Sequence, residues 1–289
     1  MVNFVYNKHT TKKRTDFMGL AHTILENYHA LTKSEKLIAD YLLAEKEQTV
    51  YKTMKDVTDA VKVGDATLIR FCQKLGYSGF SDLKIAIAKD EFTSQYEEES
   101  TDKFYDQILD NQIKVLESTR QLIDPETLLD AINHITNAKR IYIIGVGSSG
   151  LSAASLEKML LRVGVHANHT IHPHFQAHAL SLLDETDLVI CFSLSGRTKD
   201  VYDSLAIAKK NHCPIIAITN FKTSPIAELS DIVLQSANEE FFDGGSLAGK
   251  ISQLYVSEVL VRGYEINNKI QTVELREKVL RSILDKCID

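Results

Sequence analysis

The chain lacks the features that would tie it to a membrane or to an oxidising compartment. Its four cysteines, Cys72, Cys191, Cys213 and Cys287, lie far apart and form no C-x-x-C pair. They therefore indicate reduced thiols rather than a disulfide framework. Its apolar runs are only a few residues long, too short to cross a bilayer. The polar, basic start of the sequence lacks the apolar core of a secretion signal. We therefore expect a cytoplasmic protein without a membrane segment.

The length and the distribution of charge are compatible with two domains that have different partners. With 289 residues, 44% of them apolar, the chain is long enough for two ordinary cores. Residues 1–90 carry 14 lysines and arginines against 11 aspartates and glutamates, a net charge of +3. The remainder carries 19 against 28, a net charge of −9. A basic front end on an acidic protein is compatible with a small nucleic-acid-binding module.

A polar, acidic segment at residues 90–103 separates two kinds of sequence pattern. Before it, apolar residues recur at helical spacing. After it, short β-branched runs alternate with helical patterns, which indicates a parallel sheet covered by helices on both faces. The predicted fold class is therefore α plus α/β, with an all-α front domain and an α/β back domain.

The front domain has the pattern of a helix-turn-helix. The pattern predicts two short amphipathic helices, at residues 53–61 and 65–76, joined by a tight turn. The second helix has an apolar stripe, which comprises Leu68, Phe71, Cys72 and Leu75. Its opposite face carries Thr67, Arg70 and Lys74. These side chains suit phosphates or base edges, so we predict that they contact double-stranded DNA. The alternative is the ordinary polar face of a surface helix.

A loop rich in glycine and serine follows the first predicted strand, "RIYIIG". Gly145, Gly147 and Gly150 have the G-x-G-x-x-G spacing of a dinucleotide-binding loop. Such a site also needs an acidic residue about 20 positions further on. The sequence has no aspartate or glutamate between Glu157 and Asp184. We therefore interpret the loop as part of a smaller anion site.

A second loop of the same character follows the predicted strand "DLVICF". It reads S-L-S-G-R-T at residues 193–198 and precedes a predicted helix. Helix N-termini present N–H groups and a positive potential, hydroxyl groups add neutral donors, and glycine allows a close approach. Two such loops that face one crevice would cradle a phosphate. Arg197 either adds charge there or points to solvent.

These motifs resemble the RpiR family of bacterial transcriptional regulators. The run "ATLIRFCQKLGYSGFSDLK" at residues 66–84 is similar to the helix-turn-helix domain of that family. Residues 120–265 resemble the sugar isomerase (SIS) domain, a phosphosugar-binding α/β fold whose S-x-S-G-x-T motif is matched in full at residues 193–198. The resemblance implies a DNA-binding regulator of sugar or amino-sugar metabolism that senses a phosphorylated sugar. It implies no catalysis, cofactor or metal.

The resemblance also implies how the chain is divided. We expect a helix-turn-helix domain at residues 18–95 and a linker or connecting helix at residues 96–119. The SIS domain follows at residues 120–265, and a C-terminal helix for packing or dimerisation at residues 266–289. Because one recognition helix reads few base pairs, we expect a homodimer or homotetramer held mainly by the α/β domain and its terminal helices.

Carried over by position, the resemblance assigns ligand contacts to both loops. The residues that should hold the phosphate are Ser149, Ser193, Ser195 and Thr198, assisted by Gly147, Ser148 and Gly196. The family often has Asp-x-His-x-Gln after its second strand, and residues 172–176 match it at His174 and Gln176 but lack the acid. Residues 244–254 align with a pocket-closing segment.

Two alternatives stay open at this point. One is a sugar-phosphate isomerase on the same fold, with Glu239, Glu240 or His174 as the base. The helix-turn-helix argues against that alternative, since an isomerase has no use for it. The other alternative is a metal site among the five histidines between residues 166 and 178. His174 and His178 have the spacing of a metal-binding pair on a helix. No Cys, Asp or Glu lies among them to complete a site, which favours sugar contacts or a surface position.

Overall fold

A computed structural model describes residues 20–45, 49–50, 52–98, 104–237, 247–270, 272–282 and 284. The chain divides into two units, residues 1–102 and residues 103–289. The first unit is helical and the second contains a parallel sheet, so the predicted fold class is confirmed. In the described part of the chain, no helix is long and apolar enough to cross a membrane.

The first unit is a bundle of short helices around one apolar core. The helices are α1 (Leu20–Asn27), α2 (Lys33–Ala44), α3 (Met54–Val61), α4 (Asp65–Lys74) and α5 (Phe80–Glu98), with a 3₁₀ turn at Tyr28–Ala30. A capping box begins α2, in which the Thr32 side chain accepts from the Glu35 amide and the Glu35 carboxylate accepts from the Thr32 amide. Such a box satisfies two of the N–H groups that a helix start leaves unpaired.

The turn between α3 and α4 gives the helix-turn-helix its shape. Lys62 ends α3 in the left-handed region, at φ 56° and ψ 47°, which costs a non-glycine residue about 1 kcal/mol. The Val63 amide donates to the Thr58 carbonyl, and the Thr58 hydroxyl lies 3.1 Å from a carboxylate oxygen of Asp65. Gly64 is the N-cap residue of α4. Two hydrogen bonds of Thr58, one with Val63 and one with Asp65, therefore stabilise the turn that contains the strained Lys62.

The second unit is a three-layer α/β domain. Its elements are α6 (Phe104–Leu122), α7 (Pro125–Asn137), β1 (Ile141–Ile144), α8 (Gly147–Leu161), β2 (Ala167–Thr170), α9 (Pro173–Leu180), β3 (Leu188–Phe192), α10 (Lys199–Lys210), β4 (Ile215–Thr219), α11 (Pro225–Leu229), β5 (Ile232–Gln235), α12 (Leu247–Asn267) and α13 (Thr272–Arg281). The five strands are parallel and lie in the order β2-β1-β3-β4-β5.

The central strand β3 shows how the sheet divides the core. Leu188, Ile190 and Phe192 pack into the cluster formed with α7, α8 and α12. Val189 and Cys191 face the other way, into the cluster formed with α9, α10 and α11. Because successive side chains of a strand point to opposite faces, a strand buried on both faces must be apolar throughout. This is the sequence pattern from which the covered parallel sheet was predicted.

Helix α6 belongs to the second unit. Its Val115 is buried in a small cluster with Ala237 and Ala248, and the Thr119 hydroxyl accepts from the Ala237 amide at 3.1 Å. The connecting segment expected at residues 96–119 therefore overlaps a helix that packs on the α/β domain.

Candidate functional site

The order of the strands identifies the expected ligand position, at the carboxyl ends of β1 and β3. From β1 the chain crosses over α8 to β2, and from β3 it crosses over α10 in the opposite direction to β4. In open α/β sheets, ligands bind at the carboxyl ends of the strands where the direction changes. Strands β1 and β3 are direct neighbours, with Ile144 in register with Cys191. The two hydroxyl-rich loops thus leave the sheet side by side at this switch point.

The first loop is shaped by close contact between backbone atoms. A Cβ atom on Gly145 would lie 2.7 Å from the Ser149 carbonyl oxygen, so only glycine fits there. Gly147 has φ +56° and begins α8. The first turn of that helix therefore consists of Gly147, Ser148 and Ser149, whose N–H groups face the carboxyl end of the sheet. This arrangement presents backbone donors to an anion.

The second loop is a tight turn lined by hydroxyl groups. The Gly196 amide donates to the Ser193 carbonyl at 3.0 Å, and the Arg197 amide donates to the Ser195 hydroxyl at 3.3 Å. Ser193 is buried, and its Oγ lies 3.2 Å from the Oγ1 of Thr198. The structure therefore brings together the two hydroxyls at the ends of the S-x-S-G-x-T motif.

Neighbouring elements hold this turn in place. Gly196 has φ +62°, and a Cβ atom there would lie 2.0 Å from the Ser224 hydroxyl oxygen. The Gly196 carbonyl accepts from the Ile226 amide at 3.1 Å, and the Thr219 hydroxyl donates to the Leu194 carbonyl at 3.2 Å. The end of β4 and the start of α11 thus form a rigid backing for the loop.

The starts of α8 and α10 keep their N–H groups available. Val146, the N-cap residue of α8, has no side-chain acceptor, and among the described residues the Thr198 hydroxyl does not cap α10. Helix N-termini without a side-chain cap satisfy their N–H groups with water or a ligand. Both helix dipoles also favour negative charge at this point. The site is therefore suited to an anion with several acceptor oxygens.

Of the two residues predicted to face the sugar, Gln176 is buried and His174 is exposed. Gln176 is fully buried in α9, and its amide Nε2 donates to the carbonyls of Gly145 and Thr170, both at 3.0 Å. It therefore ties the ends of β1 and β2 together. His174 is exposed, and its ring stacks on that of His172 with the centroids 5.6 Å apart.

Other sequence predictions concern metal binding and catalysis. Within the described residues, no group of three or more His, Cys, Asp or Glu side chains has metal-site geometry. Glu239 and Glu240, the alternative bases, lie outside the described residues, as do residues 244–246 of the predicted pocket-closing segment.

Helix α4 has the two faces predicted for a recognition helix. The buried face comprises Leu68, Phe71, Cys72 and Leu75, which confirms the predicted core stripe. On the opposite face Arg70 is exposed, and its guanidinium lies 3.3 Å from the Thr67 hydroxyl. These two side chains are grouped together at the surface of the unit.

Lys74, the third residue predicted to contact DNA, has partners inside its own unit. Its ammonium lies 2.7 Å from a carboxylate oxygen of Glu35 and donates to the Ala30 carbonyl at 3.0 Å. Burial raises the pKa of Glu35, but hydrogen bonds from Lys74 and Thr32 outweigh this effect and lower the pKa below its ordinary value. Helical spacing did not reveal this contact.

One further residue contacts the first loop without any signal in the local sequence. Gln253 of α12 is fully buried, and its amide Nε2 donates to the Ser149 hydroxyl at 3.2 Å. The two residues are 104 positions apart, so no local pattern connects them.

Together, the fold and the loops define an α/β domain of the SIS type that follows a helix-turn-helix unit. Residues 18–94 match the helix-turn-helix domain of the rpiR family, and residues 134–262 match the SIS domain. The chain belongs to the RpiR family of helix-turn-helix transcriptional regulators with a SIS domain.

The chain is similar to other proteins over most of its length. An uncharacterised HTH-type transcriptional regulator from Haemophilus influenzae is 30% identical over 280 residues, which cover 90% of this chain and 95% of the relative. The regulator RpiR of Escherichia coli K12 is 28% identical over 82% of this chain and 83% of its own. The Vibrio vulnificus NanR protein, solved in complex with ManNAc-6P, is 27% identical with a TM-score of 0.77, and covers 94% of this chain and 100% of its own.

Proposed function

We propose that the SIS domain binds a phosphorylated sugar at the switch point and that the bound sugar changes the affinity of the protein for operator DNA. The observation that carries the proposal is the pair of adjacent hydroxyls on Ser193 and Thr198, at an uncapped helix start beside a second such start. A phosphate dianion needs several donors converging on one point, and this edge of the sheet supplies them. The ManNAc-6P complex of the similar NanR protein supports an amino-sugar phosphate as the ligand.

The hydroxyl and backbone donors of the two loops hold the phosphate in this proposal. The hydroxyl donors are Ser149, Ser193, Ser195 and Thr198, and the backbone donors come from Gly147, Ser148 and Gly196. His174 and Gln176 contribute on the sugar side. Because both N–H groups of Gln176 already serve backbone carbonyls, its amide oxygen is the atom that would accept from a sugar hydroxyl.

The front unit reads double-stranded operator DNA through α4, with Thr67 and Arg70 as its foremost contacts. Lys74 adds a DNA contact only to the extent that it leaves Glu35. Useful specificity needs two half-sites, so the acting form is a homodimer or homotetramer. A regulator of transcription acts where bacterial DNA is, in the cytoplasm. In this proposal the sugar phosphate is bound and released unchanged. Its binding acts on the affinity of the helix-turn-helix unit for DNA, which requires no reaction of the sugar.

The test is calorimetric titration of the full chain with N-acetylmannosamine 6-phosphate, glucosamine 6-phosphate and fructose 6-phosphate. Ser195→Ala should cost about 1.5–3 kcal/mol of binding free energy by removing one charge-assisted hydrogen bond. Ser155→Ala, further along α8, is the matched control and should bind as the wild type does, since the described bond of its hydroxyl is to the Leu151 carbonyl.

The regulatory part is tested by gel shift with an operator selected from random duplexes. A sugar that binds should change the DNA affinity, and DNA should change the sugar affinity by the same factor. NMR of the same mixtures should show the sugar phosphate unchanged after hours. Conversion of fructose 6-phosphate to another sugar would instead establish the isomerase alternative. If wild type and the Ser193→Ala/Ser195→Ala variant bind sugar phosphates equally well, the site lies elsewhere.

A further inference from the structure

The hydroxyl group of Ser149 has a different kind of partner from those of three serines further along their helices. Ser155, Ser204 and Ser257 each donate to the carbonyl four residues earlier, at 2.8–3.0 Å. This local bond is the usual fate of a serine inside a helix. Ser149 has no such acceptor among the described residues, and its Oγ instead accepts from the Nε2 of Gln253.

Ser149 lies in the first turn of α8, so the carbonyl four residues before it, that of Gly145, lies outside the helix. The Gly145 carbonyl accepts from the Nε2 of Gln176 at 3.0 Å. Two buried glutamines therefore act on the first loop from two helices, α9 and α12. One donates to the carbonyl and the other donates to the hydroxyl. A serine oxygen that accepts in this way keeps its own proton for a different acceptor.

The side-chain amide of Gln253 has a described hydrogen-bond partner at one end only. Its side chain is fully buried, and its Oε1 has no hydrogen-bond partner in the described part of the chain. Buried amide oxygens without a donor are rare in folded proteins, because the oxygen loses its hydrogen bonds to water on burial and gains none from the protein. The side-chain hydrogen bond described for Gln253 is the one to Ser149. The Oε1 of Gln176, whose Nε2 contacts the same loop, is also buried and unpaired among the described residues.

We propose that Gln253 is a positioning residue of the anion site. Its amide holds Ser149 as an acceptor, which leaves the hydroxyl proton of Ser149 to be donated to an oxygen of the bound phosphate group. Gln253 thereby acts on the ligand through Ser149, and α12 becomes part of the site. This proposal rests on the proposed function of the loops as a phosphosugar site.

The experiment compares two substitutions of Gln253 in the full-length protein. Gln253→Met keeps the length of the side chain and removes the donor. Gln253→Glu keeps the shape and offers only acceptors, so it would capture the Ser149 proton and also repel the anion. The probes are N-acetylmannosamine 6-phosphate and inorganic phosphate, which reports on the anion site alone. Ser257→Ala, one turn further along α12, is the control for general changes in that helix.

A double-mutant cycle with Ser149→Ala distinguishes positioning from packing. We expect Gln253→Met to weaken binding about 3- to 10-fold, the loss typical of one hydrogen bond. Gln253→Glu should weaken it further, and Ser257→Ala less than about 2-fold. In the Ser149→Ala background, Gln253→Met should cost less than about 2-fold more, because the hydroxyl through which it acts is gone.

The outcomes separate this proposal from the one it rests on. If the wild type binds neither probe, the proposed function fails and the positioning role fails with it. If the wild type binds and Ser195→Ala weakens binding, but Gln253→Met and Gln253→Glu bind like the wild type, only the positioning role is overturned. An equal loss from Gln253→Met with and without the Ser149 hydroxyl also overturns it, since the effect would then be one of packing. Should Gln253→Met not fold, Gln253→Leu takes its place in the same cycle, because it also removes the donor without adding a charge.

Discussion

The Lys74 ammonium lies 2.7 Å from the carboxylate of Glu35, an ion pair that joins helix α4 to the first turn of α2. Glu35 is buried and its carboxylate also accepts from the Thr32 amide. One contact therefore couples α4, the proposed recognition helix, to the capping box that begins α2. Of the two basic residues of α4, Lys74 is therefore expected to contribute to stability, whereas Arg70 is exposed and is expected to contribute little.

Lys74 and Arg70 should respond differently to substitution. Lys74→Ala leaves a buried carboxylate without its cation and should lower the free energy of unfolding by about 1–2 kcal/mol. Arg70→Ala removes an exposed side chain and should change stability by less than about 0.5 kcal/mol, while weakening operator binding by about 1–3 kcal/mol. Urea unfolding and gel shifts with a selected operator measure the two effects. Equal stability of Lys74→Ala and wild type would contradict the structural role of the pair.

The same pair predicts an acid-sensitive contribution to stability. The pKa of Glu35 is lower in the folded chain than in the unfolded one, so its contribution is fully present above the unfolded pKa of about 4.3. The contribution is lost as the pH falls through the lower folded pKa, because the unfolded state then binds more protons. Urea unfolding between about pH 6 and pH 3 should show a steeper fall for wild type than for Glu35→Gln. Parallel curves for the two proteins would rule out this contribution.

Two glycines of the anion site offer a matched comparison. Gly147 and Gly196 both have positive φ, but a Cβ atom on Gly147 meets open space, whereas one on Gly196 lies 2.0 Å from the Ser224 hydroxyl oxygen. Gly147→Ala should destabilise the protein by about 1–2 kcal/mol through backbone strain alone. Gly196→Ala should cost about 1–3 kcal/mol more through overpacking. Thermal unfolding measures both, and equal losses would mean that the Ser224 contact relaxes without cost.

The buried thiols should be unreactive in the native protein. Burial raises the pKa of Cys72, Cys191 and Cys213 to about 12. At pH 8 the fraction present as thiolate is then on the order of one in ten thousand, and the sulfur atoms are also shielded. A Cys287→Ser variant should therefore react slowly with Ellman's reagent when folded, and at three thiols per chain in guanidinium chloride. Rapid reaction of one thiol in the native state would show that the structure around that cysteine opens readily.

Much of the architecture follows from local patterns in the sequence. The stripe that includes Leu68 and Phe71 repeats at the period of a helix, and the apolar run of β3 is that of a strand buried on both faces. Both patterns reflect a repeat of the backbone itself, so they can be recognised without knowing what packs against them. The S-x-S-G-x-T loop is local in the same sense, since its hydroxyls lie within six residues.

The roles of individual polar side chains were decided by the tertiary structure. Sequence spacing placed Lys74 on the outer face of α4, but the fold brings Glu35, 39 positions away, within reach of it. In the same way Gln253 contacts Ser149 across 104 positions. A polar side chain takes whichever partner the packing of separate elements provides, because an unpaired buried group is costly. The sequence by itself therefore determined the helical and α/β parts, the core stripes and the hydroxyl loops, whereas only the folded chain decided which polar side chains pair with each other.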